Sequence, residues 1–91
     1  MIIGDVVGNV WATRKSDSLT GLKLMIVRRL DVCSDEEKES FVAADLVGAG
    51  IGERVLVATG SAARQSAGLE KSLVDATIIG IIDEVEVQSG D

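Results

Sequence analysis

The sequence predicts an all-β fold, a small closed barrel of four or five strands with one short helix. Three observations carry that expectation. Apolar and small residues fall at every second position over several stretches, which is the period of a strand with one buried face. The 46% of hydrophobic residues are almost entirely Val, Ile, Leu and Ala, with aromatics at only 2%, a composition that suits pleated, tightly packed surfaces. Proline is absent and glycine occurs ten times, so the turns depend on glycine.

Taken in order, the first strand lies between Ile2 and Thr13. Its even positions are Ile2, Gly4, Val6, Gly8, Val10 and Ala12, an apolar, small-residue face. Gly4 and Gly8 share that face and predict a strand that bends sharply or passes close to another. Arg14 to Gly21 reads as a polar turn. Lys23 to Asp31 is a second strand, apolar on both faces in its first half and charged at Arg28 and Arg29. Cys33 to Ser40, with its run Asp35-Glu36-Glu37-Lys38-Glu39, reads as a solvated loop. A short apolar segment follows from Phe41 to Val47.

The stretch Asp45 to Arg64, DLVGAGIGERVLVATGSAAR, is the most informative in the chain. Gly48, Gly50 and Gly52 alternate with Ala49 and Ile51, Glu53 follows, and Arg54 to Thr59 is a third strand. Gly60 then leads into Ser61 to Ala67, a short helix with Ser61 as its N-cap. Val74 to Val87 is the longest β-like run, interrupted at Gly80, with Val85 and Val87 set against Glu84 and Glu86. Alternating glycines belong where backbone approaches something closely or adopts a positive φ.

Composition bounds what approaches. Ninety-one residues allow one domain, spanning 1–91, and a chain of this size buries only about 60 to 65% of its unfolded surface, so oligomerisation is a natural source of further burial. The net charge of −6 repels a phosphate backbone. The lone Cys33 forms no intrachain disulfide. No basic leader precedes an apolar stretch, and no run nears the ~18 apolar residues of a membrane span. A soluble, cytoplasmic protein is expected.

The chemical readings weaken in turn. A dinucleotide fingerprint needs G-x-G-x-x-G between a strand and a helix, whereas this loop reads G-x-G-x-G, has Glu53 next, and enters a strand. Gly60-Ser61-Ala62-Ala63-Arg64 lacks the lysine of a phosphate loop; a cap with Arg64 paired to a carboxylate, Glu53 or Asp75, suits it better. The chain has no histidine and no tyrosine, so a serine or cysteine nucleophile lacks the usual base. Asp83 and Glu84 alternate across a strand and do not share a substrate. No catalytic residue, metal ligand or cofactor site is expected. Arg14, Lys15, Lys23, Arg28 and Arg29 form the one basic cluster, with Trp11 as its single aromatic neighbour, a thin basis for binding single-stranded nucleic acid.

What remains for the glycines is protein. DLVGAGIGERVLVATGSAAR at 45–64, VDATIIGIIDEV at 74–85, G-x-V-x-x-T from Gly8 to Thr13 and LTGLKLMIV from Leu19 to Val27 together closely resemble the EutN/CcmL family of bacterial microcompartment vertex proteins. The resemblance covers nearly the whole chain; Leu73 stands where family members commonly carry proline. It implies a five-stranded barrel related to the OB-fold that assembles into a cyclic homopentamer, placed at the vertices of a shell otherwise tiled by hexameric proteins. The role implied is structural, in the cytoplasm, without nucleic acid or membrane as partner. A pore on the ring axis passing small metabolites is the alternative from another class, and an OB-like nucleic-acid binder the third. On this reading Gly48, Ala49, Gly50, Gly52 and Glu53, with Gly60, Ser61, Ala62, Ala63 and Arg64, lie at the subunit boundary, near the ring axis, where small residues let backbones meet.

Overall fold

The computed structural model describes residues 1–11, 21–31, 36–60 and 75–83. Five strands run in chain order: β1 (Ile2–Val10), β2 (Lys23–Asp31), β3 (Glu36–Asp45), β4 (Arg54–Thr59) and β5 (Ala76–Ile81). They close into a barrel in the order β1-β2-β3-β5-β4. Every neighbouring pair is antiparallel except β3 and β5, which run parallel and meet at two residue pairs, Ala44 with Thr77 and Asp45 with Ile78. This is the Greek-key order of an OB-type barrel. The expected helix over Ser61 to Ala67 lies outside the described residues.

The barrel interior is filled by Val6, Met25, Val27, Ala43, Ala49, Val55, Val57, Ala76 and Ile78, with Ile2 and Phe41 packed against it. Side chains this small suit a narrow barrel, since interior positions must interdigitate across it without voids. The alternation read from the sequence is visible in β4, where Val55 and Val57 are buried between half-buried Arg54 and Leu56.

Gly4 and Gly8 do what their shared face predicts. A Cβ on Gly4 would stand 2.7 Å from the Arg28 carbonyl oxygen, so β1 and β2 approach there more closely than a side chain permits. Between Val6 and Gly8 the β1–β2 register shifts by a bulge, which bends the strand and lets it follow the barrel wall.

Two expectations are corrected. The acidic run does not stay a loop: Glu36 to Ser40 is the first half of β3, with Glu36 opposite Asp31, Glu37 opposite Leu30 and Ser40 opposite Arg28. Local propensity disfavours a strand there, and the ladder offered by β2 overrides it. At its other end the segment stops at Asp45, leaving Leu46 and Val47 exposed beyond the strand. Gly80 does not end β5, which runs on to Ile81, although the β4–β5 register shifts beside it, between the Leu56–Gly80 and Val57–Ile78 pairs. It sits opposite Leu56 within the ladder, where a bare Cα is accommodated at some entropic cost. The predicted alternation at Val85 and Val87 falls outside the described residues.

Candidate functional site

The glycine loop is an extension of the sheet. The β1–β4 ladder ends at the Asp5–Arg54 pair, and two further backbone bonds continue it: Val6 N–H donates to the Glu53 carbonyl at 2.9 Å and Gly52 N–H to the Val6 carbonyl at 2.8 Å. The loop then closes on itself. Glu53 N–H donates to the Gly50 carbonyl at 3.1 Å, and Gly50 N–H donates to Glu53 Oε1 at 2.6 Å. A carboxylate accepting a backbone N–H at that length is a strong, charge-assisted tie.

The three glycines are required for different reasons. Gly48 and Gly52 have φ of 76° and 95°, the left-handed region that other residues enter only with strain. Gly50 does not have a positive φ, and a Cβ placed on it would meet only Glu53 Oε1, at 3.4 Å. Nothing within the described chain demands glycine at position 50.

Ala49 is fully buried, its methyl part of the barrel core. Its carbonyl accepts from Lys23 Nζ at 3.1 Å. The same ammonium stands 3.5 Å from Asp45 Oδ2. Asp45 Oδ1 is taken by the Val47 N–H at 3.0 Å, while Oδ2 is buried and accepts no hydrogen bond. Lys23 and Asp45 face each other across the β2–β3 ladder, so strand register aims the cation at both the carboxylate and the loop.

Gly48, Ala49, Gly50, Gly52 and Glu53 are thus one constellation. Gly60 is not brought to it: Glu53 and Gly60 stand at opposite ends of the six-residue β4, about 20 Å apart at strand rise. There Gly60, with φ of 64°, donates its N–H to the Asp75 carbonyl at 2.8 Å and starts the path from β4 to β5. Ser61, Ala62, Ala63 and Arg64 lie outside the described residues, and with them the pairing of Arg64 to Glu53 or Asp75.

A hollow lies beside each half of the loop. Gly50 and Ile51, with Asn9, Val10, Trp11 and residues Leu22 to Met25, line one of about 450 Å³. Gly52 and Glu53, with Asp5, Arg54, Ile81, Ile82 and Asp83, line the other. In the second, Arg54 Nε donates to Asp5 Oδ1 at 3.0 Å and its Nη2 to Oδ2 at 3.4 Å. Reasoning from sequence took Lys23 and Trp11 only as part of a basic cluster and Asp83 only as a strand acid; it did not place them beside the glycine loop. For Trp11 the available signal was that it is one of only two aromatic residues in the chain.

Among the described residues no three His, Cys, Asp or Glu side chains converge on a metal-sized site. What the chain presents is a small OB-type barrel whose distinctive surface is a rigidly tied glycine loop between two hollows. The chain belongs to the EutN/CcmL family: the family model described as "Ethanolamine utilisation protein EutN/carboxysome" matches residues 1–83. It is 46% identical over 86 residues to the bacterial microcompartment shell vertex protein GrpN of Rhodospirillum rubrum, covering 94% of this chain and 97% of that one. It is 47% identical over 90 residues to the carboxysome shell vertex protein CcmL of Synechocystis sp., covering 99% and 90%. Among solved structures it matches Gloeobacter violaceus CcmL with a TM-score of 0.87 and 48% identity over 96% of this chain and 90% of that one. The pentameric GrpN shell protein superposes with a TM-score of 0.84 and 44% identity, covering 96% of this chain and all of that one.

Proposed function

We propose that this protein is the vertex component of a bacterial microcompartment shell, in which five copies close into a ring and supply the curvature that flat hexagonal tiles lack. The observation that carries this reading is the superposition on the pentameric GrpN shell protein across 96% of the chain. The role is structural rather than catalytic, its site of action a protein shell in the cytoplasm, and its neighbours in the shell are hexameric proteins. The net charge of −6 argues against the nucleic-acid role that other OB-type barrels take.

The glycine loop is the joint. Among the described residues nothing requires Gly50 to lack a side chain, which supports the approach of a neighbouring copy at that point. Gly60, at the far end of β4, would meet the neighbour at a second place, together with residues 61–64 of the sequence. Native mass spectrometry tests the ring directly, and a subunit count other than five overturns it. Co-expression with hexameric shell proteins tests the placement: closed polyhedra are expected with this chain and open sheets or tubes without it.

A further inference from the structure

We propose that the two hollows flanking the glycine loop are the complementary halves of one ring joint, so that the Trp11–Lys23–Ile51 face of one copy receives the Ile81–Asp83 face of the next. This rests on the ring reading above and assigns the surfaces that make the ring.

As far as the described residues form it, the first face is apolar with one cation. Trp11 is 91% exposed and Ile51 62% exposed, a large cost in water for two such side chains standing near one another. Trp is also among the residue types enriched in the anchoring positions of protein interfaces. Among the described residues Lys23 is the one charged residue lining this hollow, and its side chain is about half exposed (53%).

The second face is acidic with an apolar edge. Asp5, Glu53 and Asp83 line it, with Arg54 as the only base among the described residues, and Arg54 already holds Asp5. Ile81 is 39% exposed beside them. Asp83, exposed, is placed to meet the ammonium of a neighbour.

A ring of identical copies requires two different surfaces on each copy, whereas a two-fold contact sets a surface against itself. Self-pairing here would bring Lys23 to Lys23, or acids to acids, which is repulsive. Pairing one hollow with the other joins tryptophan and lysine to isoleucine and aspartate. Both faces adjoin one loop, so copies joined through them turn about that loop, and the missing side chain of Gly50 falls where two chains converge.

The test uses the full chain with Cys33→Ser as background. One preparation carries Asn9→Cys in the first hollow, another Asp83→Cys in the second, and the two are mixed, dissociated and reassembled before treatment with a short bis-maleimide. Cross-linked dimers are expected in the mixture and in neither preparation alone. Five-copy rings that yield no dimer from the mixture, or as much from a single preparation, overturn the assigned faces while leaving the ring itself standing. A wild-type count other than five overturns both. Independently, Trp11→Ala should raise the concentration at which rings dissociate by about tenfold or more, with far-ultraviolet circular dichroism unchanged; an unaltered dissociation concentration also overturns the assignment.

Discussion

The ammonium of Lys23 stands 3.5 Å from Asp45 Oδ2 and 3.1 Å from the carbonyl of Ala49, so one side chain ties strand β3 and the glycine loop to strand β2. The carboxylate it faces has a side chain only 1% exposed. Removing the cation leaves that buried charge without compensation. Lys23→Met should therefore destabilise the protein by about 1–3 kcal/mol, below the full value for a buried pair because the lysine is half exposed. Lys23→Met with Asp45→Asn should recover part of the loss. Urea midpoints at one fixed protein concentration give both numbers; equal stability of Lys23→Met and wild type would contradict the tie.

Gly4 and Gly8 should respond differently to the same added methyl group. At Gly4 the new Cβ meets the Arg28 carbonyl at 2.7 Å, a backbone atom, while at Gly8 its nearest neighbour is Ile26 Cδ1 at 3.3 Å. Gly4→Ala should cost about 2 kcal/mol or more, as overpacking does. Gly8→Ala should stay within about 1 kcal/mol, because the end of an isoleucine can shift. Thermal midpoints of the two variants provide the comparison.

Gly50 and Gly52 separate assembly from folding. Gly52→Ala forces a residue with a Cβ to φ of 95° and should lower the stability of the chain by about 1–2 kcal/mol. Gly50→Leu meets no such strain. It should leave the barrel folded, with unchanged circular dichroism, and shift the ring toward monomer in native mass spectrometry. A Gly50→Leu protein that still counts as five removes the loop from the joint.

Asp5 and Arg54 form a two-bond pair at 3.0 and 3.4 Å, yet their side chains are 30% and 41% exposed. Screening by water holds such a pair to about 1 kcal/mol or less. Asp5→Asn should change the unfolding midpoint within that limit, and the difference from wild type should shrink as salt is raised.

The strands legible in the sequence are those whose own residues alternate. β1 shows its inward face through Gly4 and Val6, and β4 through Val55 and Val57. The first half of β3 was not legible, because Glu36 and Glu37 become strand through pairing with Asp31 and Leu30, a relation set by the partner. The glycine loop divides in the same way. The glycine ladder as a whole signals close approach or left-handed backbone, but glycine identity does not say that Gly48 and Gly52 take positive φ while Gly50 does not. The contact of Lys23 with Ala49 spans 26 residues and exists only because β2 and β3 pair in one register. No local pattern encodes it. Nor does any local pattern separate Gly60 from the loop; the length of β4 does, once β4 is known to run straight through the barrel wall.

The two bonds that carry the β1–β4 ladder on through Val6, Gly52 and Glu53 have a mechanical consequence. A loop with three glycines is ordinarily a hinge. This one is clamped at mid-strand, and its Gly52 amide should exchange with solvent about as slowly as the ladder amides beside it. A neighbour seated on it would press against a stiff wall. The tilt between adjacent copies would then follow from the twist of the barrel and resist thermal bending, as a rigid corner piece must.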